Sequence, residues 1–119
     1  MTIDDNLITK LTDLWMYVGC SDHHKDRDCH WYIEKRWSYG NAPTYTAQHW
    51  GYVYEPALCQ PRQKYKDALQ DLYNLLKQGL EYQFEGAKEA ISDPTDWNNT
   101  EALDILSKEQ EYRMIINEN

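Results

Sequence analysis

The stretch from residue 29 to residue 55, CHWYIEKRWSYGNAPTYTAQHWGYVYE, constrains the fold more than any other part of the chain. It contains eight of the sixteen aromatic residues, and Gly40-Asn41-Ala42-Pro43 interrupts it near the middle. Before this interruption large and polar residues alternate, which is typical of a β-strand with one buried face. One face of this strand carries Cys29, Trp31, Ile33, Lys35 and Trp37. The pattern predicts a two-stranded antiparallel hairpin, with a second strand from about residue 45 to residue 54.

The register of this hairpin decides which aromatic residues join the core, because a slip of one residue exchanges the two faces of a strand. The favoured register pairs Tyr39 with Thr44 and collects the largest side chains on the core face. It also sets Glu34 opposite His49 on the outer face. A carboxylate in that position could orient the imidazole and raise its pKa, as in an acid–base pair. The alternative interpretation is an ordinary pair of surface residues on neighbouring strands.

A second register, shifted by one residue, turns Trp50 and Tyr52 outward beside Tyr32. It would leave an exposed aromatic patch of the kind that marks a binding surface. We expect four large residues in the core, namely Trp15, Trp31, Ile33 and Trp37. The pattern favours neither a core nor a surface position for four tyrosines, namely Tyr32, Tyr45, Tyr52 and Tyr54.

Periodic apolar residues predict helices on both sides of the hairpin. The expected helices are residues 4–18, residues 61–78 and a last helix that starts near Thr100. Gly79 either ends the second helix or is passed by a helix that continues toward Ala90. The resulting order, α-β-β-α-α, predicts an α+β fold, a two-layer sandwich in which the aromatic hairpin packs on helices. The length of 119 residues is that of a single domain.

The net charge of −8 is concentrated in the second half of the chain. Residues 1–66 carry eight acidic and eight basic residues, whereas residues 67–119 carry twelve acidic and four basic residues. This balance disfavours nucleic acid and anionic membranes as partners. It favours either simple solubility or docking of the acidic half on a basic partner. The first residues lack the basic start of a secretory signal, and three cysteines are an odd set, so we expect a cytoplasmic protein with reduced thiols.

Potential metal ligands gather between Cys20 and His30. Zinc accepts histidine and cysteine donors, and the candidate ligands are His23, His24, Cys29 and His30. The segment lacks a C-x2-C pair, and its alternating charges are also typical of a solvated loop. The triplet Asp22-His23-His24 is locally similar to the signature of the DHH phosphoesterases, in which it helps to bind two metal ions. That family needs further aspartates on other strands, which are not recognisable in this chain.

Three basic residues, Arg62, Lys64 and Lys66, precede or open the long helix beside the hairpin. A helix, a short antiparallel sheet and a second helix with basic residues at its start resemble the outline of the double-stranded RNA-binding domain. The overall charge has the opposite sign to the one that RNA binding requires. The alternative interpretation is that these bases balance Asp67 and Asp71.

Together these features favour a protein that acts by binding another protein or a second copy of itself, with an accessory or phage-type inhibitor as one example. The acidic C-terminal helices are a second candidate surface. Two other classes stay open: a metal-dependent enzyme built on the His23–His30 loop, and capture of a small ligand in an aromatic pocket. The candidate binding residues are Tyr32, Glu34, Arg36, His49, Tyr52 and Tyr54.

Overall fold

The computed structural model describes residues 2–18, 30–50, 59–92 and 99–117, and all structural statements refer to these residues. The elements are α1 (Asp5–Val18), β1 (His30–Arg36), β2 (Thr44–Trp50), α2 (Tyr65–Ser92), α3 (Asn99–Leu106) and α4 (Glu109–Asn117). Helices α1 and α2 contact each other, and both contact the hairpin of β1 and β2. The predicted α+β class, with an antiparallel hairpin packed on helices, is confirmed.

Helix α1 begins at a capping aspartate. The Asp4 Oδ1 atom accepts a hydrogen bond from the backbone N–H of Leu7 at 2.9 Å, which satisfies a donor of the first turn that has no intrahelical partner. The apolar stripe predicted from the spacing is buried, and it comprises Leu7, Ile8, Leu11, Leu14, Trp15 and Val18. The predicted helix over residues 4–18 is therefore confirmed, while the expected stop at Gly19 lies outside the described residues.

Helix α2 differs from its predicted start. It begins at Tyr65 rather than at Pro61, because the preceding segment is used as a short extended strand. Arg62 exchanges two backbone hydrogen bonds with Tyr45 of β2, each 2.7 Å long. A residue whose backbone groups pair with a strand cannot also form the first turn of a helix, so the helix starts after this bridge.

Gly79 does not end α2, which continues without a break to Ser92. A Cβ atom added at Gly79 would lie 3.2 Å from Cζ3 of the buried Trp15. The missing side chain therefore lets the indole of α1 lie directly against the backbone of α2. Close packing of a large ring explains a glycine that helix propensity alone disfavours.

We expect Gly79→Leu to destabilise the protein by about 1–3 kcal/mol, since it overpacks the contact with Trp15. The matched control is Gly86→Leu in the same helix, where an added Cβ meets none of the described residues within 4 Å. It should stabilise the protein by up to about 1 kcal/mol through helix propensity. Urea denaturation of both variants measures the difference. Equal effects at the two positions would contradict the proposed packing role of Gly79.

The predicted last helix is two helices, because the chain turns after Leu106. The Ser107 hydroxyl donates a hydrogen bond to the Asp104 carbonyl oxygen at 2.6 Å, and such local bonds compete with a continuing helix. The spacing of the last helix predicts an apolar stripe that includes Leu103, Tyr112 and Met114. Tyr112 is fully buried as predicted, whereas Leu103 and Met114 are exposed.

The hairpin register is neither of the two predicted ones. Thr44 pairs with Arg36 instead of Tyr39, and Ile33 pairs with Ala47 instead of Trp50 or Gly51. Ala47 is fully buried in the core cluster. A small side chain at this position allows the helices to approach the sheet closely, which Trp50 in the same place would prevent.

Candidate interaction surface

A tight turn shapes the end of the hairpin. The backbone N–H of Asn41 donates to the Ser38 carbonyl oxygen at 3.0 Å, which closes a four-residue turn. Gly40, its third residue, has a φ of 79°, a conformation that favours glycine and is required at this position of a type II turn. Pro43, just before β2, cannot donate to a strand pair. Residues 37–43 thus form a connection outside the paired strands.

Two large aromatic side chains stand on this connection. Trp37 is 68% exposed and Tyr39 is 105% exposed. The prediction that Trp37 belongs to the core is wrong, because β1 ends at Arg36 and the Trp37 side chain is exposed in the connection that follows. Trp15, by contrast, is buried, and Trp31 and Ile33 pack against the core as predicted.

The side chain of Lys35 in β1 lies against the ring of the exposed Trp37. The Nζ atom of Lys35 lies 5.2 Å from the ring centroid of Trp37 and 5.5 Å from that of Tyr45. Both distances allow a cation–π interaction. We call Lys35, Trp37 and Tyr39 the hairpin tip.

The aromatic contacts continue from the tip to the helices. The ring of Tyr45 packs edge-on against Tyr65 of α2, with 6.0 Å between centroids. The Tyr65 hydroxyl donates to Asp5 Oδ1 of α1 at 2.9 Å. Burial and then this hydrogen bond raise the pKa of Tyr65 to about 12. The base of the tip is therefore held by both helices that support the hairpin.

Alternate residues of β1 form the outer face of the hairpin, which we define as Tyr32, Glu34 and Arg36. Tyr32 is 41% exposed, and the Arg36 guanidinium contacts the Glu34 carboxylate at 2.7 Å. The sequence correctly placed these three side chains on one face. Their partners on β2 are Gln48, Thr46 and Thr44, so these three pairs are polar apart from Tyr32.

The predicted pairing of Glu34 with His49 is wrong. In the observed register His49 pairs with Trp31 and Glu34 pairs with Thr46, so the two side chains lie on opposite faces. Both imidazole nitrogens of His49 are buried and have no hydrogen-bond partner among the described residues. Burial, with a smaller contribution from His30, lowers the pKa of His49 to about 4. A neutral, half-buried imidazole on the same face as Trp31 is not part of the outer binding face.

Arg62 is held within the fold by a buried carboxylate. It donates to both oxygens of Asp71, from Nε at 2.8 Å and from Nη2 at 2.9 Å. This bidentate hydrogen bonding and the charge of Asp71 raise the pKa of Arg62. Arg62, the first of the three basic residues near the start of the long helix, thus balances the charge of Asp71, as the alternative interpretation predicted.

The Cys59 thiol lies at the start of the same segment and packs against the core. Burial and then the nearby charge of Asp71 raise its pKa. A thiol that stays protonated at neutral pH is a poor nucleophile, so this side chain has a packing role.

Several candidate residues lie outside the described residues: His23, His24 and Cys29 of the proposed metal site, and Tyr52 and Tyr54 of the proposed binding face. His30 is exposed at the start of β1. Within residues 2–18, 30–50, 59–92 and 99–117, no three histidine, cysteine, aspartate or glutamate side chains are grouped as a metal site requires. The metal prediction stays a prediction.

Sequence reasoning missed the hairpin tip. Trp37 was assigned to the core because it continues the alternation of the first strand. The signal against this was local: Gly40 and Asn41 favour a tight turn, and Pro43 limits pairing beyond Thr44. A prediction with a shorter first strand and a longer connection would have placed Trp37 and Tyr39 at exposed positions.

Comparison with protein-family models, with curated proteins and with solved structures gives no match. None of the helices in the described part of the chain has the length and apolar character needed to cross a membrane.

Proposed function

We propose that this chain is a cytoplasmic protein-interaction module that binds a protein partner through its hairpin tip and outer face. The observation that carries the proposal is the exposure of Trp37 and Tyr39 on a turn that is fixed by a hydrogen bond and a glycine. Tryptophan and tyrosine are enriched among the residues that dominate binding energy at protein interfaces.

The energetics favour a role in binding. An exposed tryptophan gains nothing from folding, but burial of aromatic area in a partner's pocket is strongly favourable. A turn with a defined conformation loses little additional entropy on binding. Contacts from Tyr45 and Tyr65 to α1 and α2 support the same preorganisation.

The charged side chains near the hairpin tip indicate which kind of partner surface would fit it. Lys35 lies beside the exposed ring of Trp37, whereas the charge of Arg36 on the outer face is already paired with Glu34. The surface that best complements the hairpin tip has an apolar pocket with an acidic rim.

Photo-crosslinking tests the proposal, with a photoreactive phenylalanine analogue placed at position 39. We expect one dominant crosslinked protein, and Trp37→Ala should weaken its binding about 30-fold, as loss of a 2 kcal/mol hot spot does. A crosslink between two copies of this chain, together with a native mass that increases with protein concentration, would identify a second copy as the partner.

The matched control is Tyr17→Ala on α1. Tyr17 is 71% exposed, and its ring lies 4.7 Å from Lys108 Nζ, which resembles the arrangement of Trp37 and Lys35. This variant should keep the wild-type affinity. Equal weakening by Trp37→Ala and Tyr17→Ala, or crosslinking at position 17 as strong as at position 39, would refute the proposal.

A further inference from the structure

A groove of about 250 Å³ lies between α2 and α3, and none of the residues that line it belongs to the hairpin. Its floor is formed by small or apolar side chains, namely Gly86, Ala90, Ala102 and Ile105. No atom of the described residues outside the helix's own neighbouring backbone lies within 4 Å of the position where a Cβ of Gly86 would be. Because the side chains of this floor are small, a third helix could bring its own side chains close to the backbone of α2.

Acidic and aromatic side chains border this floor. Glu85 and Glu89 line the groove one helical turn apart, and Tyr82, which also lines it, is 77% exposed. The charge of Glu85 is weakly compensated: its ion pair with Lys88 is 3.8 Å long, while Lys88 lies 2.9 Å from Glu109. The groove therefore combines an apolar floor with available negative charge.

We propose that this groove binds a positively charged amphipathic helix of a protein partner. Apolar side chains of such a helix, spaced to face one side, would fill the floor, which is the general mode of helix-in-groove recognition. Lysine or arginine residues one turn apart on the bound helix would meet Glu85 and Glu89. Charge complementarity selects this occupant over an acidic or a neutral segment.

The probe is a synthetic amphipathic helix of leucine, alanine and lysine, titrated into the isotope-labelled full chain and followed by NMR. We expect saturable shifts at Gly86, Ala90 and Ala102. Glu89→Lys should weaken binding about tenfold or more. Gly86→Leu, which fills the floor without changing charge, should abolish binding.

Two controls separate a defined site from general attraction to an acidic protein. Asp13→Lys on α1 makes the same charge change as Glu89→Lys at an exposed position outside the groove, and should keep most of the affinity. A peptide with glutamate in place of lysine should not bind. Equal loss in Asp13→Lys and Glu89→Lys, unchanged binding by Gly86→Leu, or shifts confined to the hairpin would overturn the proposal. Trp37→Ala should leave this binding unchanged, so the result is independent of the hairpin.

Discussion

Tyr112→Ala is expected to lower the free energy of unfolding by about 3–5 kcal/mol, as truncation of a buried aromatic ring does. Tyr112 is fully buried although it belongs to a short C-terminal helix. Its ring lies 5.3 Å from that of Phe84 in α2, and its hydroxyl donates to Glu81 Oε1 at 3.0 Å. Burial and this hydrogen bond raise the pKa of Tyr112, so the phenol stays neutral. Urea denaturation measures the loss.

Two variants separate the parts of this effect. Tyr112→Phe keeps the ring and removes only the hydrogen bond to Glu81, which should change stability by about 1 kcal/mol. Tyr39→Ala truncates a fully exposed tyrosine and should change it by less than about 0.5 kcal/mol. If Tyr112→Ala were as mild as Tyr39→Ala, α4 would not be part of the cooperative core. The exposed ion pairs of α4, such as Lys88 with Glu109, contribute too little to hold it in place alone.

Acid should destabilise the protein through His49. The pKa of this imidazole is about 4 in the folded protein and 6.5 in its unperturbed state. Between these values the unfolded chain binds a proton that the folded chain excludes, so stability falls as the pH decreases from 6.5 to 4. The pKa difference corresponds to a total loss of about 3 kcal/mol below pH 4, with no contribution above pH 6.5.

His49→Leu should remove this acid dependence, because leucine cannot be protonated. At neutral pH it should be neutral or stabilising, since it also removes two buried nitrogens that find no hydrogen-bond partner in the described part of the chain. His30→Gln is the control: His30 is exposed and only a minor cause of the His49 shift. The His30→Gln variant should retain most of the acid-dependent loss of stability. Parallel stability curves for wild type and His49→Leu between pH 7 and pH 4 would refute the assignment.

Local patterns predicted the elements well. The spacing of Leu7, Leu11 and Trp15 predicted α1 and its buried face, and the leucine-rich stripe predicted the central part of α2. Alternation in β1 correctly separated Trp31 and Ile33 from Tyr32, Glu34 and Arg36. These patterns are readable because the repeat of each backbone conformation determines which neighbours share a face.

The candidate site was predicted only in part. The outer face contained the expected Tyr32, Glu34 and Arg36, but the alternation of residues could not determine how many residues the connection takes. A register in which Thr44 pairs with Arg36 moved Trp37 from the expected core to the exposed tip. The same change placed His49 on the core face and separated it from Glu34.

The amino-acid sequence by itself determined the order of elements as far as the long helix α2, the buried faces of α1 and β1, and the concentration of negative charge in the second half. Only the tertiary structure decided the hairpin register, the burial of the His49 ring nitrogens, and the contact of Gly79 with Trp15. The reason is physical: periodicity depends on residues a few positions apart. Register and close packing depend on residues far apart in the chain, such as Trp15 and Gly79, whose fit is defined only after the elements have come together.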